Sequence, residues 1–104
     1  MANMNNMMKQ AQALQRKLMA AQEELATLEV SGSAGGGMVT ATATGAGELR
    51  GIVISPEVVD PEDVDLLQDM VIAAVNEALR SAKSVEQERL GGLAGGLGLP
   101  PGLL

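Results

Sequence analysis

The 104-residue chain lacks cysteine, histidine, and every aromatic residue. Without cysteine there are no disulfides and no thiolate metal sites, a composition that fits a reducing cytosol. Without histidine or cysteine the usual general bases and nucleophiles are missing, and the serines have no partner beyond scattered lysines. The chain is therefore expected not to be an enzyme, and to need no cofactor, metal or small-molecule substrate. Without aromatic rings the core must come from Val, Ile, Leu, Met and Ala, each of which buries less area than a ring. A small domain with such a core is marginal alone, which favours burial against a second copy. Polar residues interrupt the first 30 positions, no apolar run of roughly 18 residues spans a membrane, and no signal sequence is evident. The chain reads as soluble.

The formal net charge is −6, which on its face disfavours phosphate polymers. Its distribution is uneven. Residues 1–22 carry Lys9, Arg16 and Lys17 and no acid; residues 48–69 set Arg50 against Glu48, Glu57, Asp60, Glu62, Asp63, Asp65 and Asp69.

What is present is strongly periodic. Met4, Met7, Ala11, Leu14, Leu18, Ala21, Leu25 and Leu28 alternate spacings of three and four, the seam of a heptad helix. Leu14, Leu18, Leu25 and Leu28 are expected to pack. From Met4 to Leu28 such a helix is about 37 Å long, whereas a chain of this size packs into about 26 Å. It must project or lie on a partner. Lys9 and Arg16 share the outermost heptad position, with Asn5 and Gln12 near them, and Lys17 flanks the seam. These are donor types that reach phosphates, although an ordinary solvated face has the same composition.

Residues 29–54 alternate as strands do. Val39, Ala41 and Ala43 face one way and Thr40, Thr42 and Thr44 the other. Gly35-Gly36-Gly37 and Gly45-Ala46-Gly47 mark turns, so the segment is expected to be a three-stranded antiparallel meander over Glu29–Ser33, the Val39 run and Leu49–Ile54. "SGSAGGG" lacks the Gly-Lys-Ser/Thr ending of a phosphate loop and is read as a turn. Asp60 and Pro61 suit a helix start, with Glu62, Asp63 and Asp65 complementing the helix dipole rather than forming a calcium loop. The second helix is expected to run to about Leu90. Val64, Leu67, Val71, Ala74 or Val75, Ala78, Ala82 and Val85 form its apolar stripe, and Leu66, Met70 and Ala73 form a second one in its first half. It adds Arg80, Lys83 and Arg89 to the basic inventory. Residues 91–104, "GGLAGGLGLPPGLL", read as a flexible tail after a single α+β domain over 1–90.

Six short stretches, in order, carry a family resemblance: "MKQAQ" at Met8–Gln12, "QEELA" at Gln22–Ala26, "LEV" at Leu28–Val30, "GGGMV" at Gly35–Val39, "ISP" at Ile54–Pro56 and "AAVNEA" at Ala73–Ala78. Together they resemble the YbaB/EbfC family over nearly the whole chain. The resemblance implies a bacterial nucleoid-associated protein of the cytoplasm. It implies a tweezers-like homodimer whose projecting helices bind double-stranded DNA, with a part in nucleoid organisation and gene regulation. On this chain the implied DNA contacts are Lys9, Gln10, Gln12, Arg16 and Lys17, and more weakly Arg80, Lys83 and Arg89. Thr44-Gly45 stands where relatives often have Asn-Gly; the turn keeps its glycine. Sparse basic residues and an acidic middle imply weak to moderate, salt-dependent binding. The competing class is a protein-interaction scaffold, in which the heptad helix binds a partner helix and the Leu-rich tail tethers it.

Overall fold

The structure is a computed structural model and describes residues 2–96. Helix α1 spans Ala2–Thr27, strands β1, β2 and β3 span Glu29–Ala34, Val39–Thr44 and Leu49–Ile54, and helix α2 spans Val64–Gly96. The strands form one antiparallel sheet in the order β1-β2-β3. The meander expected from the alternation is therefore present, between two long helices. β1 runs one residue beyond the expected end, to Ala34. The first turn is made by Gly35, Gly36 and Gly37, all at φ between 64° and 91°, a conformation that side chains with a Cβ rarely adopt.

The core lies between the sheet and α2. Val39, Ala41 and Ala43 of β2 meet Ala74 and Ala78 of α2, all fully buried, with Val30, Ala34, Met70, Val71 and Val75 packed around them. Val39 is the largest fully buried side chain. With so little bulk, the interior depends on close approach: Gly32 of β1 lies directly under α2. Thr44 is buried as well, although alternation placed it on the outer face. A register shift at Thr42/Ala43 marks this end of β2, and the Thr44 hydroxyl accepts a hydrogen bond from Glu48 N–H across the turn at 3.2 Å.

The termini of α2 differ from expectation. The chain after β3 first forms a short 3-10 turn over Pro56–Val58, capped by Ser55. Asp60 does not start the helix. Its carboxylate accepts from Glu62 N–H at 2.9 Å and its carbonyl from Asp63 N–H at 3.0 Å, which closes a separate turn. Asp63 is the cap, accepting from Leu66 N–H at 3.3 Å. Asp63→Ala is expected to destabilise the fold by about 1 kcal/mol, read as a lower urea midpoint; Asp60→Ala should shift it less. At the other end α2 continues through Gly91 and Gly92 to Gly96, past the expected stop at Leu90. Each glycine costs about 1 kcal/mol of helix propensity. Half-buried Leu90 and Leu93 supply the packing that keeps the turn helical. Residues 97–104, the remainder of the expected tail, lie outside the described residues.

The second apolar stripe expected in the first half of α2 is only partly covered. Met70 is half-buried, whereas Leu66 and Ala73 are exposed, as is Val64 at the start of the main stripe; Leu67 and Val71 are half-buried.

Candidate nucleic-acid interface

Among the described residues, α1 is anchored most firmly at its sheet end. Leu25 is buried, and the Leu28 carbonyl accepts from Gly45 N–H at 2.8 Å, tying the helix exit to the β2–β3 turn. Gln22 and Leu25 share a small cleft with Glu86 and Leu90 of α2, so the two helices run side by side there. Glu24 accepts a hydrogen bond from the Arg89 guanidinium across this pair. Both side chains are about half exposed, so the ion pair is worth at most about 1 kcal/mol. It commits Arg89 to the base of the helix pair.

Away from that anchor the seam empties. Leu14, Leu18 and Ala21 are half-buried, and Ala11, Met7 and Met4 are exposed, Met4 at 70%; Leu28, at the sheet end, is half-buried. The molecule measures 74 × 22 × 16 Å with a radius of gyration of 19.6 Å; a compact chain of this length has a radius near 13 Å. α1 therefore projects, as its length required.

All the sequence-predicted contact residues are exposed: Lys9, Gln10, Gln12, Arg16 and Lys17 on α1, and Arg80, Lys83 and Arg89 on α2. Five of them fall into two groups, Lys9, Gln12 and Arg16 on α1 and Arg80 and Lys83 on α2, whereas Gln10 and Lys17 flank the seam of α1 and Arg89 is tied to Glu24. Lys9 and Arg16 lie about 27 and 16 Å along the helix from its sheet end at Thr27, on the side opposite the seam, with Gln12 between them. Arg80 and Lys83 are separate. Three residues apart on α2, they share a face with Asn76 and Gln87, turned away from Ala74, Ala78 and Ala82 and hence from the sheet. Arg50, which the sequence offered only as a counterweight to an acidic segment, is exposed at the irregular end of β3, where the register passes from Leu49 to Gly51 and leaves it unpaired. A bulge is not visible in an alternation pattern.

The acids stay with the folded end. Glu23, Glu24 and Glu29 sit where α1 meets the sheet, and Glu86 and Glu88 are on the α2 segment beside it. The outer part of α1, from Ala2 to Gln22, carries positive charge only. Among the described residues no group of three or more acidic side chains is placed to hold a metal ion, and no helix is long and apolar enough to cross a membrane.

The family model described as the YbaB/EbfC DNA-binding family matches residues 1–97. The chain belongs to that family. It is 54% identical over 101 residues to a protein of Saccharopolyspora erythraea named nucleoid-associated protein, covering 97% of this chain and 87% of that one. A Streptomyces griseus protein of the same name is 57% identical over 96 residues, covering 92% and 84%. One from Acetivibrio thermocellus is 52% identical over 101 residues, covering 97% and 89%. The crystal structure of an uncharacterized protein from Helicobacter pylori superposes with a TM-score of 0.70 at 20% identity, over 79% of this chain and 86% of that chain. At that identity the fold alone is shared.

Proposed function

We propose that this YbaB/EbfC member is a non-enzymatic homodimer that holds double-stranded DNA with its projecting α1 helices, acting in the nucleoid on DNA organisation and gene regulation. The observation that carries the DNA reading is the acid-free stretch Ala2–Gln22 of α1, which exposes Lys9, Arg16 and Lys17. Phosphate contact needs no more than positioned donors. Family membership and the shared name of the relatives support the same reading.

The dimer rests on β3. Every residue of this strand is exposed, including Leu49, Ile52, Val53 and Ile54. β3 is also an edge of the sheet. At the other edge Glu77 of α2 accepts from Ser33 N–H of β1 at 3.4 Å, which fills one of that strand's outward donors. Leu49, Ile52 and Ile54 pair in register with Ala43, Ala41 and Val39, so they share the α2 side of the sheet, yet the core beneath α2 is drawn from β1 and β2. The result is a bare apolar strip beside the helix. An exposed apolar edge strand is a template for pairing with another chain, and burying the exposed 37–41% of Leu49, Ile52 and Ile54 adds roughly 0.6–1.2 kcal/mol for each. A second copy brings the same strip and a second α1, doubling the basic residues available.

Light scattering is expected to give twice the chain mass of 10.6 kDa for the parent protein, and the single-chain mass for Ile52→Glu. Duplex binding should fall steeply with salt. Three basic residues on each of two α1 helices bound the log–log slope at about −5. A dimer that ignores duplex at low salt would sink the DNA reading and favour the scaffold, whose partner would take the exposed heptad seam instead.

A further inference from the structure

We infer that Met8 and Met19 are sites of reversible oxidation by hydroperoxides, and that their sulfoxides loosen the grip of α1 on DNA. The functional half rests on the DNA reading above; the chemical half does not.

The thioether is the one readily oxidised side chain the sequence contains, because cysteine, histidine, tryptophan and tyrosine are all absent and methionine occurs seven times. Its distribution is lopsided. Met4, Met7, Met8 and Met19 all lie on α1 and are 54–70% exposed. Met38 and Met70 belong to the sheet end and are half-buried, Met70 packed against the core. Met1 lies outside the described residues. Oxidant in solution therefore meets the projecting helix first.

On that helix the four methionines divide by face. Met4 and Met7 lie on the seam. Met8 is four residues before Gln12, Gln12 four before Arg16, and Met19 three after Arg16, so Met8 and Met19 border the donor stripe. In the reaction the thioether sulfur attacks one oxygen of the hydroperoxide. A sulfur–oxygen bond forms, the oxygen–oxygen bond breaks, and the second oxygen leaves as water or alcohol after proton transfer; sulfur is oxidised by two electrons and the peroxide reduced by two. The sulfoxide oxygen is a hydrogen-bond acceptor with no donor of its own. Beside Gln12 and Arg16 it competes for the protons that a phosphate would take and places a second acceptor against it. Exposed as they are, Met8 and Met19 contribute little to packing, so the fold is unaffected. Sulfoxide reductases restore the thioether.

The test treats the full chain with hydrogen peroxide, maps oxygen addition by peptide mass spectrometry, and measures low-salt duplex binding beside Met8→Leu/Met19→Leu. Leucine keeps the helix and cannot be oxidised. The expected map shows Met8 and Met19 oxidised well before Met38 and Met70. Oxidised parent protein should bind about tenfold more weakly, the equivalent of one hydrogen bond. The oxidised double variant, still modified at Met4 and Met7, should keep its unmodified affinity, and circular dichroism should not change. Equal oxidation rates at all methionines would overturn the site assignment. Equal loss of binding in the oxidised double variant would overturn the role of Met8 and Met19. Failure of the untreated protein to bind duplex would overturn the DNA reading and the functional half with it, whereas the oxidation map decides the chemical half either way.

Discussion

Gly32→Ala is expected to destabilise the protein by about 3 kcal/mol or more, the upper end of what overpacking costs. A Cβ at Gly32 would stand 2.3 Å from the Ala78 nitrogen, 2.7 Å from the Ala74 carbonyl oxygen and 2.8 Å from the Glu77 carbonyl carbon. Unbonded heavy atoms settle near 3.5–4.0 Å for carbon pairs, about 1 Å further out. All three obstacles are helix backbone, so no rotamer change relieves them. α2 must lift from the sheet, and it is through Ala74 and Ala78 that α2 closes the core. The interior has no larger side chain to move into the gap, because its bulkiest fully buried member is Val39. Small domains hold about 5–15 kcal/mol in total, so the variant should lose a large part of its stability. Gly92→Ala is the control. It lies on α2, away from β3, its Cβ would meet nothing within 4 Å, and it should leave stability unchanged or raise it by up to about 1 kcal/mol. Urea unfolding at one fixed protein concentration compares them, because the proposed association would contribute to apparent stability. Equal midpoints for the two variants would contradict the close helix–sheet contact.

The periodic parts of this protein were legible because periodicity is a local property. Alternation identified Val39, Ala41 and Ala43 as one face, the glycine triplet marked the first turn, and the three-four spacing with its length required α1 to project. What was not legible depends on contacts between distant segments or on local competition. Asp60 and Asp63 are both competent caps. Asp60 leads into proline and carries the favoured sequence signal, yet its carboxylate and carbonyl are spent on the preceding turn, and only Asp63 reaches a helical N–H. Gly91 and Gly92 are poor helix formers whose weakness is outvoted by the half-buried leucines beside them. The tie from Arg89 to Glu24 spans 65 positions and leaves no pattern. Nor does sequence say which strands a helix covers. α2 closes the core over β1 and β2, so Ile52 and Ile54, apolar and on the same side, stay exposed. At the candidate interface, sequence found the basic residues of α1, and structure added that α1 and α2 present theirs as two separate groups.

The largest effect is expected from reversing the charge of the projecting helix. Lys9→Glu, Arg16→Glu and Lys17→Glu together turn three positive charges per α1 into three negative ones. All three residues are exposed, glutamate is as good a helix former as lysine or arginine, and the sites are remote from β3, so fold and dimer should persist. The folded end is already rich in acid, and few other cations remain to hold phosphate: Arg80 and Lys83 on a separate face of α2, Arg50 on β3, and Arg89 engaged by Glu24. Duplex affinity at low salt should therefore fall by about a hundredfold or more, because favourable phosphate contacts are replaced by repulsion. The decisive measurement is a low-salt gel shift of this triple variant beside the parent, with the mass of each checked by light scattering. The expected result is an intact dimer that no longer retards duplex DNA. An intact dimer that retards it as well as the parent would contradict the assignment of DNA binding to α1.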